Sequence, residues 1–123
     1  MTWNYAQKTG ALTHDGVHIA NGYSGNTTGL NNPGMQDTVG VGPVPRGEYT
    51  IGSPHQPIDH LGRIALPLYP EPANNMLGRS GFFIHGDNSS MNHTASNGCI
   101  ILGPAFRKAI VDSGDTTLVV AAE

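Results

Sequence analysis

The chain has 123 residues and a formal net charge of −3, which is one domain's worth of sequence spanning residues 1–123. Only 12% of the residues are charged, while 17 are glycine and 9 are proline. This composition indicates a compact, turn-rich, β-dominated domain and excludes a chain disordered by its charge. Six scattered basic residues cannot follow a phosphate backbone, so we expect no nucleic-acid partner. No apolar run approaches the roughly 20 residues of a spanning helix, so we expect no membrane span.

The first half of the chain has the pattern of short strands separated by tight turns. Asp15-Gly16 is a strong hairpin signal. The segment Gly22–Gly34 is so rich in Gly and Asn that we expect an ordered surface loop there. The predicted strands of this half are Thr2–Ala6, Ala11–Thr13, Val17–Ala20 and Glu48–Ile51.

The second half contains further strands and one helix. The helix is predicted to have Pro104 in its first turn and to stop at Gly114, with Phe106, Ile110 and Val111 on its buried face. About seven strands and one helix make the expected fold mainly β. The further strands are predicted at Arg63–Leu68, closed by Pro67 and Pro70, at Gly81–His85, and at Thr116–Ala121.

The residues with chemically reactive side chains lie between the end of the predicted strand Gly81–His85 and the predicted helix. An apolar strand ends at His85, and after a polar loop Gly98 introduces Cys99 at the start of another apolar run. A thiol nucleophile needs a base, because an ordinary thiol has a pKa of about 8.5 and is mostly protonated at neutral pH. A glycine before the nucleophile allows close approach of a substrate and leaves amide groups to bind an oxyanion.

Three interpretations of Cys99 follow from the residues alone. It is the single cysteine, so it forms no intramolecular disulfide. It is a buried core thiol, a nucleophile served by His85, or a zinc ligand together with His85, Asp87 and His93. The spacing of those four residues fits no standard zinc motif.

A family resemblance bears on this choice. His85-Gly86 followed by Ser96-Asn97-Gly98-Cys99-Ile100 resembles the signature of YkuD-type L,D-transpeptidases, and Gly42–Ile51 is similar to an upstream segment of that family. Other segments resemble one branch, the type VI-secreted L,D-transpeptidase effectors, which are antibacterial toxins that act on peptidoglycan. These segments are Trp3-Asn4-Tyr5, Gly22-Tyr23-Ser24-Gly25 and Asn31-Asn32-Pro33.

The resemblance implies a fold, a reaction and a set of site residues. The fold is the YkuD β-sandwich with one short helix after the nucleophile. Cys99 is the nucleophile, His85 is its general base, and the Gly86 carbonyl orients the imidazole ring. The substrate is the stem tetrapeptide of peptidoglycan, from which D-Ala leaves as a thioester forms. Water, a D-amino acid or a second stem amine then resolves the thioester, and no cofactor or metal is required.

Two positions depart from the family pattern. Ser96 and Gly98 match the hydroxyl and the glycine of the motif, and the resemblance implies that they orient the site or bind the oxyanion. Asn97 stands where many members have a second histidine, so its amide must make any supporting hydrogen bond there, and it is also a predicted substrate contact. Ile101 stands where housekeeping members carry an arginine.

If that arginine holds a substrate carboxylate, another cation must replace it in this chain. Arg46, Arg63 and Arg79 are the candidates, with Arg46 and Arg79 retained as predicted substrate contacts. Asp87 is a further candidate, because it could pair with His85 or with an incoming amine, although it could equally cap its loop.

The resemblance also implies a route and partners. Met1–Tyr5 has neither a basic nor an apolar signal region, so we expect secretion without a Sec signal, through type VI components. The expected place of action is the periplasm of the target bacterium, and a cognate immunity protein would protect the producer. The alternatives are a housekeeping cell-wall L,D-transpeptidase, or a zinc-binding or non-catalytic wall-binding module on the same fold.

Overall fold

The computed structural model describes residues 2–53, 65–86 and 98–123. These ranges contain nine strands and one α-helix, α1 (Pro104–Ser113), with short 3₁₀ turns at Thr27–Gly29 and Pro33–Met35. The mainly β fold with one short helix after Cys99 is therefore confirmed. The strands are β1 (Thr2–Ala6), β2 (Ala11–His14), β3 (Val17–Asn21), β4 (Tyr23–Ser24), β5 (Gly47–Ile51), β6 (Leu66–Pro70), β7 (Phe83–His85), β8 (Ile100–Ile101) and β9 (Thr117–Ala121).

The described strands form one nearly closed sheet in the order β3-β2-β1-β9-β5-β6-β7-β8-β4. Most neighbours are antiparallel, whereas β1 pairs in parallel with β9 and β7 pairs in parallel with β8. The parallel pairing of β7 and β8 brings together the strand that ends at His85 and the strand that follows Cys99. This pair is what positions the candidate site.

The core is built from alternate residues of the strands, as the period of two requires. In the parallel pair at the centre of the sheet, Trp3 lies opposite Leu118 and Tyr5 lies opposite Val120, and all four are buried. The buried core cluster further contains Leu12, Ala20, Val44, Tyr49, Ile51, Leu66, Leu68, Phe82, Ile84, Ile100, Leu102 and Ile110.

The expectation of a surface loop at Gly22–Gly34 is wrong for Tyr23–Ser24, which form β4. Tyr23 and Ser24 are buried and pair with Ile101 and Ile100 of β8, more than 70 residues away along the chain. The backbone at Gly25 packs closely against the backbone at Val41, since a Cβ on Gly25 would lie 2.8 Å from the Val41 carbonyl oxygen. Glycine therefore serves close packing in this segment as well as turning.

The sixth strand is shifted from its predicted position, because Pro67 and Pro70 lie inside it rather than closing it. The Pro67 carbonyl accepts from Gly52, which lies just after β5 ends. Within a strand, the N–H and the C=O of one residue point to the same side. The N–H that Pro67 lacks would therefore face Gly52, beyond the end of β5, and not a residue of that strand. The predicted residues 63–64 lie outside the described ranges.

The helix begins and ends as predicted, with Pro104 in its first turn and Gly114 left-handed after its end at φ 72°. The predicted apolar face of the helix is only partly buried. Arg107 and Ile110 are buried, while Phe106 is 38% and Val111 is 40% exposed. At 3.6 residues per turn, these two apolar residues sit about 70° to either side of the buried face, so they flank the contact with the sheet.

Candidate active site

The parallel pair β7–β8 brings Cys99 close to the strand that bears His85. His85 is in register with Ile101, two residues after Cys99. Cys99 precedes β8, and its Sγ accepts a hydrogen bond from the backbone N–H of Phe83 at 3.3 Å. The thiol therefore lies against β7 two residues before the histidine.

The imidazole of His85 is buried and fixed in one orientation. Its Nδ1 lies 2.9 Å from the carbonyl oxygen of Gly86, and its backbone carbonyl accepts from Leu102 N–H at 3.0 Å. A carbonyl only accepts hydrogen bonds, so Nδ1 carries the proton of the neutral ring. Nε2 is then the basic nitrogen of the neutral ring.

Opposing influences act on the ionisation of Cys99. Burial raises the pKa of this thiol, while the hydrogen bond from Phe83 and the positive charge of Arg79 act to lower it. Burial is the largest influence, so the net direction is upward. At neutral pH the resting side chain is the thiol, and its attack on a carbonyl requires a base.

The turn before Cys99 accepts only glycine. Gly98 has φ +129°, a conformation that side-chain-bearing residues rarely adopt. A Cβ at this position would collide with Nη2 of Arg79 and would lie 2.8 Å from the ring of Phe82. The absence of a side chain at Gly98 therefore allows the guanidinium to lie directly against the turn.

Ser24 fixes the peptide between Gly98 and Cys99, a contact that the sequence did not reveal. Its buried hydroxyl donates to the Gly98 carbonyl at 2.9 Å and accepts from Val44 N–H at 2.8 Å. In a trans peptide the N–H points opposite to the C=O. The N–H of Cys99 is therefore aimed away from Ser24.

Arg79 lies beneath this turn with only 6% of its surface exposed. Its Nη1 donates to the carbonyls of Gln36 and Pro43, the latter at 2.7 Å, and its Nη2 donates to the carbonyl of Gly42 at 3.0 Å. The guanidinium carbon also stands 5.1 Å from the centre of the Phe82 ring. Arg79 thus links the 36–43 segment to the Gly98–Cys99 turn.

Two other arginines occupy different settings. Arg46, a predicted substrate contact, is exposed, and its backbone N and its Nε both donate to Oε1 of Gln36, at 3.0 and 3.2 Å. Arg107 was not singled out by the sequence. It is buried, burial lowers its pKa, and its Nη2 lies 2.8 Å from the place where a Cβ on Gly86 would be. An arginine on a short helix gives no local signal that it will be buried.

Asp87, Ser96 and Asn97 lie outside the described residues, as do Arg63 and His93, so their roles remain predictions. Within the described ranges one group of three side chains could hold a metal ion. It consists of His14, Asp15 and Asp115, whose ligand atoms lie within 4.8 Å of one another. In strand order it is far from β8, and it shares no residue with the His85 and Cys99 pair.

Within the same ranges, the single helix is too short and too polar to span a bilayer.

Comparison with known proteins identifies the family. A family model described as the Tlde1 domain matches residues 18–117, a range that contains β7, β8 and the Gly98 turn. No curated protein and no solved structure was found to match. The chain therefore belongs to the Tlde1 family of type VI L,D-transpeptidase effectors, whose domain acts on the cell wall.

Proposed function

We propose that this protein is a cysteine-dependent enzyme that removes or exchanges the terminal D-Ala of peptidoglycan stem tetrapeptides. The observation that carries the proposal is the placement of Cys99 against β7, two residues before a buried histidine whose tautomer is set by Gly86. A thiol with a raised pKa beside an imidazole with a basic Nε2 is suited to general-base-assisted nucleophilic attack.

The first half-reaction forms a thioester. Nε2 of His85 accepts the thiol proton as Sγ of Cys99 bonds to the carbonyl carbon of the third stem residue. The resulting imidazolium then donates that proton to the nitrogen of D-Ala as the C–N bond breaks. D-Ala leaves as the neutral amine, and the stem remains as an acyl group on sulfur.

The second half-reaction releases the stem. His85 accepts a proton from water or from the amine of a D-amino acid as that nucleophile attacks the thioester. The C–S bond breaks, and the proton passes to the departing sulfur. Water gives a tripeptide, which is carboxypeptidase action, whereas an amine gives exchange or a crosslink.

The geometry of the turn supports an oxyanion site at the nucleophile. Ser24 holds the Gly98 carbonyl inward, so the N–H of Cys99 points to the opposite side of the peptide plane. A backbone N–H adjacent to the nucleophile is a common donor to the negative oxygen of a tetrahedral intermediate. We assign this role to the Cys99 amide.

The substrate carboxylate needs a cation that solvent can reach. Arg46 is exposed, and through Gln36 it belongs to the same segment that Arg79 joins to the turn. It is therefore the better candidate of the two arginines. Asp87 and Asn97 remain proposed substrate contacts, and Ser96 remains a proposed orienting residue, all from the sequence alone.

The effector family supports delivery by type VI secretion into a target bacterium and protection of the producer by an immunity protein. We place the reaction in the target's periplasm, where the stem peptides of peptidoglycan are exposed.

The experiment is mass spectrometry of muropeptides incubated with purified protein. We expect tetrapeptides to become tripeptides with the wild type, a loss of the mass of D-Ala less that of one water, and to remain intact with Cys99→Ala. The matched control is Lys108→Gln, an exposed position on α1, which should act as the wild type. Tetrapeptide trimming by Cys99→Ala would refute the assignment. Inactivation by a chelator, reversed by zinc, would instead indicate a metal site.

A further inference from the structure

The guanidinium of Arg79 is buried under the Gly98–Cys99 turn, and the proposed reaction gives it no role. Arg79 is 6% exposed, and burial lowers its pKa, so its charge is retained at a cost in desolvation. Its hydrogen bonds to the carbonyls of Gln36, Pro43 and Gly42 offset part of that cost. The position of this cation beside a cysteine points to a more specific use.

We propose, resting on the proposed function, that Arg79 is a positioning residue for Cys99. Its buried positive charge favours the thiolate form of the nucleophile, and its fixed guanidinium holds the turn that presents the sulfur. Arg79 supplies this cation to the Gly98–Cys99 turn from the segment that precedes β7.

Hydrogen bonds, an aromatic ring and close backbone packing fix the guanidinium in this place. The carbonyls of Gly42 and Pro43 accept from its two terminal nitrogens. The Phe82 ring covers it at 5.1 Å. Gly98 lies so close that a Cβ there would collide with Nη2. The charge therefore cannot move away from the Gly98–Cys99 turn without breaking backbone contacts.

The charged and titratable groups of this region come from several elements. Arg79 precedes β7 and His85 ends β7, while Arg107 of α1 lies against Gly86, the residue after His85. Tyr49 and Asp37 in turn act to raise the pKa of Arg79 against its burial. Of the two arginines, Arg79 is the one whose charge acts directly to lower the pKa of the cysteine.

The test is the pH dependence of the alkylation of Cys99 by iodoacetamide. The reagent is neutral, and the chain has one cysteine, so the rate reports a single thiolate. We compare wild type with Arg79→Gln, Arg79→Lys and the surface control Lys108→Gln. The expected result is a roughly tenfold slower reaction at neutral pH for Arg79→Gln, as is typical of losing a nearby opposite charge. Arg79→Lys keeps a cation but loses the planar fork that donates to the backbone carbonyls, so its rate should lie between those of wild type and Arg79→Gln, while the control should match wild type.

A correctly folded Arg79→Gln with the wild-type profile would overturn the proposal, and so would an Arg79→Lys profile displaced as far as that of Arg79→Gln. If Arg79→Gln does not fold, Arg79→Lys decides alone: an alkylation profile displaced toward higher pH supports the proposal, and a profile identical to that of wild type refutes it. When His85→Gln is added to each variant, Arg79→Gln should displace the pH profile of alkylation by the same amount, because the effect of Arg79 does not pass through the imidazole. Alkylation needs no peptidoglycan, so failure of the proposed substrate would leave this result intact.

Discussion

Two histidines at the ends of two strands have different surroundings. His85 ends β7, is buried, and donates from Nδ1 to a backbone carbonyl, with a thiol held two residues away against the same strand. His14 ends β2, is partly exposed, and places Nε2 2.6 Å from a carboxylate oxygen of Asp115. Its ring stacks on Trp3 with a centroid distance of 4.1 Å.

The difference shows what makes a histidine a candidate base. At His14 the ring stacks on Trp3 of β1, and Nε2 contacts Asp115 in the loop after α1, so the histidine joins that loop to the sheet. The charged neighbours of this ring are the carboxylates of Asp15 and Asp115. At His85 the fixed nitrogen is Nδ1, a thiol lies against the same strand, and the buried guanidinium of Arg107 lies beside the next residue, Gly86. The first arrangement is suited to joining elements, whereas the second is suited to moving a proton to and from sulfur.

The largest expected effect is on turnover when the two histidines are exchanged for glutamine. His85→Gln should lower tetrapeptide turnover by on the order of 10²–10⁴-fold, the usual contribution of a general base. His14→Gln should leave turnover unchanged. The measurement is the rate of D-Ala release by each purified variant.

The pH profile of His85→Gln adds a second check. The pKa of the thiol is raised by burial, so the thiolate fraction increases as pH rises and some activity should return at alkaline pH. Equal losses in both histidine variants would remove the distinction between the two regions.

The next effect concerns the Gly98 turn. Gly98→Ala places a methyl group into Nη2 of Arg79 at a φ that alanine rarely adopts, so we expect a loss of stability of about 1–3 kcal/mol. Turnover should fall as well, because the turn that presents Cys99 must shift. Thermal unfolding and D-Ala release measure the two effects. The control is Gly78→Ala, where φ is +74° and nothing lies within 4 Å of the added Cβ, so only the smaller cost of a left-handed alanine is expected.

A smaller effect is expected at Ser24. Ser24→Ala removes the donor to the Gly98 carbonyl and leaves the buried N–H of Val44 without its acceptor, at a cost of about 1–3 kcal/mol. The Cys99 peptide should then be less well oriented, so kcat should fall while KM changes little. An unchanged kcat in the folded variant would show that the orientation of this amide does not matter.

The smallest expected effect is on stability, at the contact between His14 and Asp115. A double-mutant cycle of His14→Ala and Asp115→Ala should give a coupling energy of about 0.5–1 kcal/mol, since both side chains are partly exposed. Activity should be retained in each folded variant. The readout is urea unfolding, and zero coupling would mean that the short contact adds nothing to stability.

Local signals in the sequence predicted the features that depend on neighbouring residues. The strand ending at His85, the glycine turn before Cys99 and the limits of α1 follow from apolar runs, Gly and Pro. The role of Ser24 could not be predicted in this way. It depends on pairing between residues 23–24 and 100–101, which are far apart in the chain.

The burial of Arg79 and Arg107 was also beyond local inference. Charged residues are ordinarily exposed, and what allows Arg79 to be buried is a set of backbone carbonyls brought together only by the folded chain. The exposed positions of Phe106 and Val111 have a similar cause, because the tertiary contact selects which part of the helix surface is covered.

The most direct test of the account is the intact mass of the protein after rapid acid quenching of a reaction with stem tetrapeptide. We predict an adduct equal in mass to the tetrapeptide less D-Ala, released by neutral hydroxylamine as a thioester would be, present in His14→Gln and absent in Cys99→Ala. An adduct on Cys99→Ala, or undiminished release of D-Ala by that variant, would contradict the assignment of Cys99 as the nucleophile.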